Sequence, residues 1–282
     1  MVIIKNINLF SIVILYINNM SMGYLESIFY SDNGPDIGRG YPAIIFLHGF
    51  FMDSRMFEKQ LPDLQLKYRV ICMDIRGFGR SKSNNKSFSL YDLVNDVIKL
   101  ADHLKIKQFI ICGMSMGGYI ALRACIRVPK RIIGLILIGT QIGQDNKETV
   151  SKYVYIRDNW NKIDIRKKTI DQLLPIIVGE NLTDTSFWRN VWMSHSYEGI
   201  YNSMNAMLKR DDIKEKVKGI NIPTLILHGE DDCGIPVNAA VELAETLKYS
   251  RLIKIPSGNH AVNITHPKLT NNAILNWLQD YF

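Results

Sequence analysis

The feature that most constrains this chain is a series of short apolar runs, rich in β-branched residues, that alternate with longer amphipathic stretches. The runs are Ala43–Leu47 (AIIFL), Arg69–Met73 (RVICM), Phe109–Cys112 (FIIC), Ile132–Ile138 (IIGLILI), Thr224–Leu227 (TLIL) and Arg251–Ile255 (RLIKI). Short runs without polar alternation read as strands buried on both faces, which is the environment of a parallel sheet covered by crossover helices. Between two of them, Leu90–Leu104 carries apolar residues at helical spacing, and Ser89 is placed to cap it. Similar helices are expected after Ser115, Pro236 and Pro267. The expected class is α/β, a mostly parallel sheet flanked by helices.

That alternation breaks between Gly143 and Asp212, where helical patterns continue without a strand. The expected organisation is a core of residues 23–142 and 213–282, with a helical cap, residues 143–212, inserted before the last two strands. The cap is rich in aromatics, among them Tyr153, Trp160, Trp188 and Trp192. Most are expected to pack the cap onto the core. A minority should line an apolar pocket, because sites in such sheets open at the carboxyl ends of the strands.

With 47% hydrophobic and 22% charged residues in 282, the chain can bury a sizeable core. The net charge of +7 is spread in short runs such as Arg166–Lys168, so it reads as solubility and no nucleic-acid partner is expected. Cys72, Cys112, Cys125 and Cys233 lack metal-ligand spacing, and two of them lie in apolar runs. They are expected to be free thiols of a reducing compartment, with no metal or organic cofactor. Residues 1–22 read as an N-terminal extension, for which Met20 and Met22 are alternative starts. Its apolar run Leu9–Ile17 resembles a signal-peptide core, is too short to span a bilayer and precedes no small-residue cleavage site. A cytoplasmic protein without stable membrane insertion is expected, with targeting by this segment as the alternative.

The strongest chemical signal is Gly113-Met114-Ser115-Met116-Gly117-Gly118, a G-x-S-x-G match that follows an apolar run and precedes a helical one. Glycines on either side let strand and helix approach at a strained turn, and a helix beginning at the serine aims unpaired N–H groups at developing negative charge. A serine hydroxyl needs a base within reach, itself oriented by a third group. His260 follows the last strand, and Asp232 follows the one before it. Both therefore fall on the same sheet edge as Ser115, in the chain order Ser, Asp, His.

From about Tyr24 to its end the chain resembles the α/β-hydrolase superfamily, in its serine-nucleophile branch. Gly229, Asp232 and Pro236 are similar to that family's G-x-x-D-x-x-x-P, which selects Asp232 over Glu230 and Asp231, while Cys233 stands where the family often has proline. The resemblance implies that Ser115, His260 and Asp232 are nucleophile, base and orienting acid. It also implies that Leu47-His48-Gly49-Phe50 forms an oxyanion turn, with the backbone N–H groups of Phe50 and Met116 as donors. Such a donor contributes about 2.7–4 kcal/mol. His48 is then a structural residue of the turn, and Asp74–Ser81 is similar to the family's D-x-R-G-x-G-x-S scaffold turn. In the cap, His195 is a candidate for touching substrate, whereas His103, His228 and His266 read as structural or solvated.

The expected activity is hydrolysis of a small carboxylic ester or lactone through an acyl-enzyme. The stretches Pro256–Ile264 and Val128–Thr140 are similar to 3-oxoadipate enol-lactonases and small carboxylesterases. Dehalogenases and epoxide hydrolases of the fold use an aspartate nucleophile, and serine at position 115 argues against both. The alternatives are a ligand receptor that turns over slowly, and carbon–carbon bond hydrolysis or perhydrolase chemistry on the same serine.

Overall fold

Eight strands form one sheet, numbered β1 (Ser21–Leu25), β2 (Ile28–Asp32), β3 (Ala43–Leu47), β4 (Val70–Met73), β5 (Phe109–Met114), β6 (Ile132–Ile138), β7 (Thr224–Gly229) and β8 (Ser250–Ile255). The computed structural model describes residues 20–35, 40–83, 86–180 and 182–282, so the apolar run Leu9–Ile17 lies outside the described residues. The spatial order is β1-β2-β4-β3-β5-β6-β7-β8. Every neighbouring pair from β4 to β8 runs parallel, while β2 pairs antiparallel with both β1 and β4. The fold is thus α/β with a mostly parallel sheet, and each of the six apolar runs is a strand within it. Strands β3, β4, β5 and β7 are buried throughout, as a sheet covered on both faces requires.

The β1–β2 hairpin is the part of the sheet that the sequence pattern does not announce. Its outer strand is largely exposed, with Met22 and Tyr24 among the most accessible large apolar side chains. An edge strand with one wet face carries no buried run to detect. It begins at Ser21, inside the stretch expected to be an extension.

The helices are α1 (Leu61–Leu64), α2 (Leu90–His103), α3 (Met116–Arg127), α4 (Lys147–Asn159), α5 (Ile163–Val178), α6 (Leu182–Ser194), α7 (Tyr197–Leu208), α8 (Lys214–Val217), α9 (Val237–Thr246), α10 (Val262–Thr265) and α11 (Pro267–Tyr281). Helix α2 starts as its sequence demands. The Ser89 side chain accepts from the Asp92 N–H while Asp92 accepts from the Ser89 N–H, a reciprocal cap that satisfies two otherwise unpaired donors. Its buried stripe is Leu90, Leu93, Val94, Val97, Leu100 and Ala101. Helices α4 to α7 lie between β6 and β7 and form a helical insertion. No helix among the described residues is long and apolar enough to cross a membrane.

The strand order positions the site. The chain runs from β3 outward to β4 and returns to the other side of β3 as β5, so the loops after β3 and β5 diverge. In open α/β sheets the crevice at such a reversal, outside the carboxyl ends of the strands, is where ligands bind.

Candidate active site

Ser115 stands between the end of β5 and the start of α3 with φ 50° and ψ −113°, a conformation that non-glycine residues seldom adopt. Several bonds hold it there. Its N–H donates to the Ile138 carbonyl at 2.9 Å, and its own carbonyl accepts from the Thr140 hydroxyl at 2.9 Å and from the Gly118 N–H at 2.8 Å. Gly117 is required by close approach, since a Cβ at that position would collide with the Leu47 carbonyl. Strand β3, strand β5 and helix α3 are thereby drawn together at one point.

His260 follows β8 and Asp232 follows β7, and the structure brings the two into contact. His260 Nδ1 lies 2.8 Å from Asp232 Oδ2. A carboxylate only accepts here, so Nδ1 carries the hydrogen and a neutral imidazole keeps its lone pair on Nε2. Asp232 is 6% exposed and heavily supplied with donors. Its Oδ1 accepts from the Gly234 and Ile235 N–H groups at 2.8 and 2.9 Å. His228 Nε2 lies 3.1 Å from Oδ2 and also 2.8 Å from the Ile235 carbonyl. Burial alone would raise the Asp232 pKa, but the attraction of His260 and the bonds from His228, His260 and Ile235 hold it well below the usual carboxylate range. Glu230 and Asp231, in the same loop, are exposed.

Phe50 lies in a turn closed by the Met52 N–H donating to the Gly49 carbonyl at 3.2 Å. Met116 is the first residue of α3, where an α-helix leaves its opening N–H groups without intrahelical acceptors. His48 serves the turn and not the cavity. Its Nε2 accepts from the Ile75 N–H at 2.8 Å while Nδ1 donates to the Gly49 carbonyl, and burial depresses its pKa. The Asp74–Ser81 turn is braced as expected of a scaffold: Asp74 accepts from the Arg80 and Ser54 N–H groups, and the Ser81 hydroxyl donates to the Asp74 carbonyl.

Ser115, His260, Phe50 and Cys233 line one cavity of about 130 Å³. From the insertion come Tyr153, Leu173, Ile176, Ile177 and Met207. Most of the insertion's aromatics pack elsewhere: Trp160, Trp188 and Trp192 are buried in the core, while Tyr155 and Phe187 are exposed. The charged group on the wall is Asp145, bound to Arg210 at 2.7 Å and to the Gln141 amide at 3.1 Å. Burial pushes the Tyr119 and Tyr153 phenols up, so both keep their hydrogens at neutral pH. Among the described residues, no group of three or more His, Cys, Asp or Glu could hold a metal ion. The four cysteines are free thiols.

The family described as alpha/beta hydrolase fold matches residues 42–267. This chain is an α/β hydrolase. The hydrolase is 30% identical over 264 residues to a Synechocystis protein named "Putative non-heme chloroperoxidase", covering 86% of this chain and 93% of that one. It is 28% identical over 235 residues to 3-oxoadipate enol-lactonase 2 of Acinetobacter baylyi, covering 83% and 87%. A thermophilic esterase from Thermogutta terrifontis superposes with a TM-score of 0.82 at 25% identity, covering 90% of the hydrolase and 93% of the esterase.

Two histidines of the hydrolase have roles that their sequence positions do not disclose. His228, the next-to-last residue of β7, places its Nε2 3.1 Å from Asp232 Oδ2. His195 is buried and bonds to the Phe51 carbonyl, outside the cavity lining, in contrast to the substrate contact expected of it.

Proposed function

We propose that this hydrolase cleaves small carboxylic esters or lactones through an acyl-enzyme formed on Ser115. The observation that carries this is the His260–Asp232 contact on the cavity that Ser115 also lines, with Ser115 at a strained strand-to-helix turn. In this reading Ser115 Oγ attacks the carbonyl carbon and its proton passes to His260 Nε2. Asp232 stabilises the imidazolium, and the N–H groups of Phe50 and Met116 receive the oxyanion. His260 then protonates the leaving alkoxide, and water, deprotonated by the same imidazole, releases the acid and restores Ser115.

Residues 23–142 and 213–282 act as the catalytic core in this proposal, and residues 143–212 as the cap that selects the substrate. A cavity of about 130 Å³ is small against the roughly 300–1,000 Å³ of drug-sized sites, which favours a short acyl group. With Asp145 already paired to Arg210, the wall favours an uncharged one. The test is turnover of p-nitrophenyl acetate, butyrate, octanoate and hemisuccinate by wild type and Ser115→Ala. Acetate or butyrate is expected to lead, with activity abolished in the variant; unchanged activity in Ser115→Ala removes the proposal.

The relative named as a chloroperoxidase favours a second reading, in which hydrogen peroxide replaces water at the acyl-enzyme and releases a peroxy acid. Peracid formation from acetate and peroxide that exceeds ester hydrolysis would select it.

A further inference from the structure

Phe51 has φ 65° in the turn closed by Met52 and Gly49. A positive φ at the third of four turn residues is normally given to glycine, and a bulky side chain persists there only when its surroundings hold it. Besides Phe50, whose ring centroid is 4.3 Å away, those surroundings belong to the insertion. The Phe51 ring is stacked on Trp192 at 4.5 Å and lies 4.9 Å from Trp160. Its carbonyl lies 2.7 Å from His195 Nε2, in the short join between α6 and α7. A carbonyl can only accept, so His195 Nε2 carries the hydrogen. The His195 residue is itself fixed: its ring packs edge-to-face with Phe78, centroids 5.2 Å apart, and the Trp160 indole N–H donates to the His195 carbonyl at 3.4 Å.

We infer that His195 is a positioning residue of the oxyanion turn, donating its Nε2–H to the Phe51 carbonyl and so fixing the turn that presents the Phe50 N–H. The inference rests on the acyl-enzyme reading above, in which that N–H receives the oxyanion. His195 then affects the transition state without touching substrate. Burial supports the role by lowering its pKa to about 4, which leaves a neutral donor at pH 7. The insertion therefore completes the machinery of the sheet edge as well as covering the cavity.

The experiment compares wild type, His195→Phe and His195→Gln on p-nitrophenyl butyrate, with a short alkylboronic acid as inhibitor, since its tetrahedral adduct places an oxygen where the oxyanion forms. His195→Phe keeps an aromatic ring and loses the donor; kcat is expected to fall about ten- to a hundredfold, with KM within about threefold. His195→Gln restores an amide N–H and should recover most of that loss. The boronic acid inhibition constant should rise in step with the lost kcat. His195→Leu carries the same expectation if the melting curve shows His195→Phe unfolded. A phenylalanine or leucine variant that matches wild type, or that surpasses the glutamine variant with unchanged boronate affinity, overturns the inference in favour of simple packing. A wild type that neither hydrolyses esters nor binds boronate overturns the acyl-enzyme reading instead.

Discussion

The carboxyl edge of the sheet and the helical insertion above it meet at the same cavity but are built by different physics. At the sheet edge, positions are set by backbone: Ser115 is tied through its own N–H and carbonyl, and Asp232 through two adjacent N–H groups. A single added carbon at Gly117 would strike the Leu47 carbonyl. In the insertion, positions are set by side-chain packing, with Trp160 and Trp192 fully buried and Leu173, Ile176, Ile177 and Met207 supplied to the cavity wall. Side-chain volume can change there without moving a strand end. Under the proposed function, the difference teaches that the reacting groups are held by backbone while the groups that would select the substrate are held by side-chain packing. Hydrogen bonds that cross the divide near the cavity include those from His195 to the Phe51 carbonyl and from the Ala261 N–H, next to His260, to the Ile177 carbonyl at 3.1 Å.

Substitutions at the sheet edge should lower turnover of every ester alike. Ser115→Ala is expected to reduce kcat at least about 10⁴-fold with the melting temperature unchanged, measured by steady-state kinetics and calorimetry. Asp232→Asn should cost about 10³–10⁴-fold in kcat on all esters, because the amide no longer holds His260 in its Nδ1–H tautomer. A loss confined to one ester in either variant would break the comparison, since it would place substrate choice at the edge.

The bond from His195 has a signature in stability as well as rate. Burial lowers its pKa from 6.5 to about 4, so as pH falls the unfolded chain takes up the proton first. Stability is therefore lost between about pH 6.5 and 4, by up to about 3 kcal/mol from this group. Of the neighbouring titratable groups, Asp53 opposes the shift and His48 and Arg166 add to it. His195→Phe removes this loss, and urea midpoints of variant and wild type should move in the variant's favour on acidification. A constant difference across that range would contradict a buried neutral imidazole.

The smallest expected effect belongs to the cavity wall. Tyr153→Phe removes one hydroxyl and should change the kcat/KM ratio between a butyrate ester and its 3-hydroxy analogue by about three- to tenfold. A uniform fall for both esters would move Tyr153 from substrate choice to chemistry.

Legibility in the sequence follows the same divide. Five of the six strands were readable as continuous apolar runs, and the sixth, the edge strand β8, as an apolar run broken by Lys254 with only Ile255 buried; Ser115, Asp232 and His260 were readable because each follows the carboxyl end of one of these strands. The β1–β2 hairpin was not, being short and half exposed. The contact from His195 to Phe51 joins residues 144 apart, and no local pattern announces it. The stretch between β6 and β7 reads as helical, and the structure has helices there, but which of its side chains face the cavity depends on how α4 to α7 pack. Of its aromatics, Tyr153 turned inward while the buried tryptophans secure the fold.

The central claim, that Ser115 is the nucleophile driven by His260, is tested most directly by reacting the protein with a fluorophosphonate and mapping the adduct by mass spectrometry. The account predicts one adduct, on Ser115, absent in Ser115→Ala and formed far more slowly in His260→Ala. An adduct on another residue, or labelling of Ser115 that is indifferent to the loss of His260, would contradict it.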